Sequence, residues 1–176
     1  AVLDMRGELH VALDDMRILS ALSPETILAN AALFEDAQAV FVDANLSAET
    51  LKTIFQICQN LDLPVFADAT TWSLAVRLKP HLHELYFLNA NRNETAEICP
   101  DCPTIQDHTS AIQAARHLVS MGLKIAVIPL GELGVCYATS ETSGHIPANK
   151  TQIVNPTGAG DALTAAIIYG LLNHME

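Results

Sequence analysis

Apolar and polar positions alternate through the first thirteen residues. Beyond them a different unit recurs, a short apolar run followed by an amphipathic stretch. Residues 1–13 hold two extended runs on either side of Arg6-Gly7, which predicts a β-hairpin. The apolar runs Ala39–Val42, Pro64–Ala67, Leu85–Leu88 and Lys124–Leu130 predict buried strands. Between them, Ser23-Pro24 starts a helix to about Asp36, with Ser as N-cap and Pro at the first helical position. Ser47 caps a second helix to about Asn60. Others are predicted near Trp72–Lys79, from Arg92, from Asp107 or Thr109 to Gly122, and over Ala159–Leu172. Gly131-Glu132-Leu133-Gly134 turns the fourth strand back into Val135–Ala138. Residues 139–150 read as loop or strand fragment, and Thr151–Val154 as a short strand. Strand-helix units with fully apolar strands predict an α/β domain over residues 14–176, a three-layer parallel sheet with helices on both faces, from which the hairpin of residues 1–13 projects.

Three of the strands end alike: Val42-Asp43-Ala44-Asn45, Ala67-Asp68-Ala69-Thr70 and Leu88-Asn89-Ala90-Asn91. Each Asp or Asn could simply begin a turn or cap a helix. Taken together they would line one crest, because ligands of open α/β sheets sit outside the carboxyl ends of the strands.

Charge narrows the partners. Against 9 basic residues stand 20 acidic ones, a net charge of −11, which argues against nucleic acid or an anionic membrane. No apolar run approaches the ~20 residues of a membrane span. Four cysteines with no secretory signal suggest a reducing cytoplasm. The opening without an initiator Met suggests a piece of a longer protein.

Residues 155–161 read Asn-Pro-Thr-Gly-Ala-Gly-Asp and lead into a helix that is apolar on nearly all sides, which predicts its burial in the domain centre. Glycines at a helix N-terminus admit a ligand close to the backbone, and the N–H groups there with the helix dipole bind anions. A carboxylate beside such a site repels phosphate. It makes chemical sense if Asp161 takes a proton from an attacking hydroxyl while the amides hold the transferring group. The spacing alone equally fits a glycine-rich turn with an acidic helix start.

Thr157-Gly158-Ala159-Gly160-Asp161 and the small-residue helix after it resemble the second signature of the PfkB-type, ribokinase-like carbohydrate kinases. The resemblance implies Asp161 as catalytic base and the Gly158, Ala159 and Gly160 amides as anion hole. Asn155 and Pro156 stand where the family usually has Asp and Thr. Asn91-Arg92-Asn93-Glu94 resembles the family's Asn-x-x-Glu element, which implies Glu94 near Mg²⁺ through water and Asn91 near phosphate. Pro129 to Gly134 resembles the Thr-Leu-Gly-x-x-Gly turn near the nucleotide, implying roles for Gly131 and Gly134, with Thr157 beside the phosphates; Pro129 replaces that Thr. Leu3 to Met16, Leu22–Glu25 and Val42–Leu46 are closest in pattern to pseudouridine kinases, where the hairpin would belong to a lid.

The resemblance therefore implies a ribokinase-like fold represented by its C-terminal part only, with ATP and Mg²⁺ as cofactors. The reaction would transfer the γ-phosphoryl group to a primary hydroxyl of a sugar or nucleoside, pseudouridine-like or ribose-like. The alternative is a catalytically inactive or regulatory nucleotide-binding module of the same fold. The piece alone is expected to be inactive and to self-associate, as a homodimer, through an unpaired sheet edge. No P-loop pattern occurs. Cys99-Pro100-Asp101-Cys102 has the spacing of half a zinc site or a redox pair, but no second pair accompanies it, so buried thiols are the simpler reading. Trp72 is expected to pack, His81 and His83 to lie on the surface, and Ser73 and Arg77 are weaker nucleotide-facing candidates.

Overall fold

The computed structural model describes residues 2–3, 9–11, 15–150 and 157–175. Strands β1 (Val2–Leu3) and β2 (Leu9–Val11) pair antiparallel as a two-stranded sheet. The strand expected at Thr151–Val154 lies outside the described residues.

The main sheet has six strands in chain order: β3 (Val40–Asp43), β4 (Val65–Asp68), β5 (Leu85–Asn89), β6 (Ile125–Pro129), β7 (Val135–Thr139) and β8 (Ser143–Ile146). The first four run parallel, but β7 and β8 are antiparallel to their neighbours. The sheet is therefore mixed rather than wholly parallel. The reason is the connection, since a parallel return needs a dozen or more residues. Here a single 3₁₀ turn, Gly131–Leu133, joins β6 to β7, with Gly131 at φ 60° and Gly134 at φ 94°.

Side-chain alternation along the strands builds two cores. On one face Val42, Ala67, Leu88, Ala126 and Ile128 meet the apolar sides of α3 (Ala48–Leu61) and α6 (His108–Ser120), with Leu51, Ile54, Phe55, Ala114 and Leu118 buried among them. On the other face Phe66, Phe87 and Val127 pack against Leu163, Ile167, Ile168 and Leu171 of the last helix (Ala159–Leu172). That helix is not buried in the domain centre as expected. Thr164 is its one buried residue, while Ala165, Ala166 and Tyr169 face outward. It lies on the sheet by one side, and among the described residues nothing covers the other.

Local chemistry explains two further departures. The first predicted helix breaks into α1 (Pro24–Ala29) and α2 (Ala32–Glu35), because Asn30 ends α1 and its side-chain amide donates to the Thr26 carbonyl. The helix expected over Trp72–Lys79 is α-helical only in α4 (Trp72–Ala75). It continues as a 3₁₀ segment, Val76–Glu84, that contains Pro80, a residue that cannot donate to an α-helical ladder. Trp72 is 58% exposed instead of packing, and His81 is half-buried, stacked 4.2 Å from the Phe55 ring and hydrogen-bonded to Glu84. No helix among the described residues is long and apolar enough to cross a membrane.

Phe87 is the junction of the second core, fully buried and 5.9 Å from the Phe66 ring. Replacing Phe87 with Ala should cost about 3–5 kcal/mol in denaturant unfolding, the usual range for a buried Phe. Tyr86→Ala, at a 39% exposed neighbour, should cost less. Equal losses would contradict this placement of the core.

Candidate functional site

The site begins with strand register. Asp43 pairs with Asp68, and Asp68 with Asn89, so the three polar tips stand side by side at the carboxyl ends of β3, β4 and β5. The tips also make local turns. Asp43 accepts from the Asn45 backbone N–H at 2.9 Å and from its side-chain amide at 3.1 Å. One oxygen of Asp68 accepts from the Thr70 N–H at 2.9 Å. The two readings of the tips thus both hold at these positions, a turn on one side of the carboxylate and a shared crest on the other.

The second oxygen of Asp68 faces a network. Asn89 Nδ2 donates to it at 2.9 Å and to Thr164 Oγ1 at 2.9 Å, and the Thr164 hydroxyl donates to Asp68 at 3.1 Å. Asn89 is 4% exposed, and its Oδ1 is buried without a hydrogen-bond partner among the described residues.

The last helix, α7 (Ala159–Leu172), starts beside these tips. Gly158 is its N-cap at φ 82°, a left-handed conformation that favours glycine. The first helical bond runs from Ala162 N–H to the Gly158 carbonyl, 2.9 Å. The amides of the preceding helical positions have no intrahelical acceptor and carry the positive end of the dipole. Asp161 sits exposed in this first turn.

The third component is α5 (Arg92–Ile98). Asn91 caps it, its Oδ1 accepting from the Asn93 and Glu94 N–H groups, while Glu94 reaches back to accept from the Asn91 N–H at 2.7 Å. Glu94 is buried. Burial pushes its carboxyl above the usual range and the Asp68 charge adds to the rise, while the Asn91 N–H opposes it.

These components enclose a cleft of about 310 Å³ lined by Asp43, Asp68, Thr70, Asn89, Asn91, Glu94, Gly158, Gly160 and Asp161, with Phe41 and Pro129 as apolar walls. Among the expected site residues, Asn91, Glu94, Gly158, Gly160 and Asp161 are thus brought together. Ala159 and Thr157 adjoin them in the chain without lining the cleft, and Gly131 and Gly134 do not line it. Gly134 also has a packing role: a Cβ there would stand 2.1 Å from the Ile146 carbonyl oxygen and 2.7 Å from the Ala148 nitrogen. Arg77 does not reach the cleft either. Its Nη1 donates to the carbonyls of Ala44, Asn45 and Leu46 at 2.9–3.2 Å and braces the loop after the first tip. Ser73 is likewise absent from the lining. Sequence reasoning missed Thr164. The available signal was the one Ser or Thr in an otherwise apolar helix, three residues after Asp161 and so on the same side.

Residues 3–176 match the family described as pfkB family carbohydrate kinase. The chain belongs to this family. Two curated members are similar to this pfkB-family chain: the pseudouridine kinase of Escherichia coli K12, 30% identical over 95% of the chain and 52% of the relative, and the guanosine-inosine kinase of Exiguobacterium acetylicum, 29% identical over 97% and 56%. Among solved structures, a carbohydrate kinase from Agrobacterium tumefaciens superposes with a TM-score of 0.77 at 23% identity, covering 100% of this chain and 55% of that one. The pfkB-family chain therefore has the ribokinase-like α/β fold, with a mixed sheet and flanking helices, and spans about half the length of the curated relatives it matches.

The raised carboxyl of Glu94 has a measurable sign. Between the ordinary glutamate value and its own raised value, the folded chain holds a proton that the unfolded chain has released. Stability therefore falls as pH rises through that window. Glu94→Gln keeps a side chain able to accept from the Asn91 N–H, and the difference in unfolding free energy between wild type and variant should move in the variant's favour across the window. A difference that is flat from pH 4 to 8 would contradict the burial of an ionising Glu94.

Proposed function

We propose that this chain carries the donor side and the base of a kinase that transfers the γ-phosphoryl group of ATP to a primary hydroxyl of a sugar or nucleoside. The observation that carries the proposal is one cleft shared by the amides at the start of α7, the Asp161 carboxylate and the polar strand tips. Asp161 accepts the hydroxyl proton as the oxygen–phosphorus bond forms and the bond to the ADP leaving group breaks. The amides around Gly158–Gly160 hold the equatorial oxygens of the transferring group, so catalysis rests on positioning and charge stabilisation.

The cleft also suits a hard cation. Its charged donors are all carboxylate oxygens, from Asp43, Asp68, Glu94 and Asp161, the donor type that magnesium takes. A polyphosphate entering among four carboxylates needs a counter-charge, and Glu94, with Asp68 beside it, would hold Mg²⁺ through water. When bound, the ion supplies neutralisation of the phosphate oxygens. Asn91 and Thr157 border the phosphate path in this reading, and the turn of Gly131 and Gly134 serves the nucleotide by fixing the loop after β6. Similarity to a pseudouridine kinase and a guanosine-inosine kinase favours a nucleoside acceptor. Edge strand β3, with Phe41 53% exposed on it, is where a homodimer would pair.

One observation favours the second reading, an inactive or regulatory nucleotide-binding module. Pro129 lines the cleft and brings neither a hydroxyl nor a backbone N–H.

In an active form of the protein, Asp161→Asn should lower turnover about 10²–10⁴-fold, the range for a general base, with little change in ATP affinity by calorimetry. Turnover near wild type would remove Asp161 from the mechanism. The 176-residue chain by itself should be thermally stabilised by ATP and Mg²⁺ yet release no acceptor-dependent ADP. In this reading the acceptor is positioned by other residues, a contribution of about 7–11 kcal/mol. A coupled assay over a panel of nucleosides and sugars tests this, and robust acceptor-dependent release would refute it.

A further inference from the structure

The far end of α5 carries a cluster that the phosphoryl-transfer reading does not use. Cys99 caps the C-terminus of α5 and is 3% exposed. The Cys102 N–H donates to the Cys99 carbonyl at 3.0 Å, a turn that folds the two cysteines toward each other. His117, exposed in the last turn of α6, completes a triad: both sulfurs and a ring nitrogen of His117 lie within 4.8 Å of one another. The sequence offered only half a site, because His117 stands fifteen positions beyond Cys102 and is delivered by the packing of α6. Met121, one turn after His117, places its sulfur 3.8 Å from the Cys99 sulfur, so the surroundings are soft as well.

We propose that Cys99, Cys102 and His117 form a binding site for a thiophilic d¹⁰ cation, Zn²⁺ by its donor set. Tetrahedral zinc, with Zn–S near 2.3 Å and Zn–N near 2.0–2.1 Å, sets its ligand atoms roughly 3.4–3.8 Å apart. Donors already gathered within 4.8 Å need to close by only about 1 Å to reach that spacing. Pro100 inside the turn and Pro103 just after it restrict the backbone and lower the entropy cost of holding the pair. A cavity of about 220 Å³ borders both cysteines, room for water or another group in the fourth position. The site would clamp the C-terminal end of α5 to α6, and the N-terminal end of that short helix carries Asn91 and Glu94 of the cleft.

The test is a metal titration of the reduced, chelator-stripped chain. One equivalent of Co²⁺ should give thiolate charge-transfer absorption and the visible bands of tetrahedral cobalt, and one equivalent of Zn²⁺ should abolish them. In competition with a chromophoric chelator, Cys102→Ser and His117→Ala should each weaken Zn²⁺ by more than about 100-fold, beyond the about 10–100-fold that loss of an outer-shell partner costs. Circular dichroism checks that each variant keeps the fold. Absence of the cobalt spectrum, or an affinity unchanged in His117→Ala, would overturn the proposal. So would a Cys99–Cys102 disulfide found by peptide mapping of the chain purified without reductant.

Discussion

The structure turns on a triangle of three side chains that are far apart in the chain. Asp68 ends one strand, Asn89 ends the next, and Thr164 projects from α7 onto both. Apolar contacts of Leu163, Ile167, Ile168 and Leu171 fix α7 against the sheet, but such contacts are non-directional and would tolerate sliding. The hydrogen bonds set where along the strands the helix begins. Hydrogen bonds to a charged acceptor such as Asp68 contribute about 1.5–3 kcal/mol each, and here they set the level of Gly158 and Asp161 against the strand tips. The buried Oδ1 of Asn89, without a partner among the described residues, is a cost of about 1–3 kcal/mol.

The cleft joins opposites. The start of α7 attracts anions, while Asp43, Asp68, Glu94 and Asp161 repel them. In a chain of net charge −11 this is not a general anion sink. Under the proposed function, an anion that arrives with a counter-ion would be favoured there over free phosphate. The burial of Glu94 belongs to the same arrangement, because a cation nearby would favour the ionised form that burial disfavours.

Much of this was legible along the chain because it is local. Ser23, Ser47, Asn91 and Asp107 cap helices where their spacing announces it. The repeated Asp-Ala and Asn-Ala tips fell into register because consecutive parallel strands of similar length end together. What was not legible depends on long separations or on competition between local forces. Thr164 meets Asn89 across 75 residues, and His117 meets Cys99 only once α6 is packed. Apolarity on all sides told that α7 avoids water but not how many of its faces this chain covers. The antiparallel β8 was hidden because Ser143-Gly144-His145 lacks the apolar run that marked the other strands.

Gly134 gives the fold an unusual sensitivity. The backbone of residues 146–148 crosses it so closely that even a methyl group would collide with main-chain atoms, and its φ of 94° already disfavours any side chain. From that crossing the chain runs on to α7 and Asp161. In a saturation library screened for the proposed nucleotide binding, position 134 would score as intolerant as the cleft residues while lining no part of the cleft. A map of such scores would draw the site too large on the β7 side, and what it outlined there would be the path of the main chain.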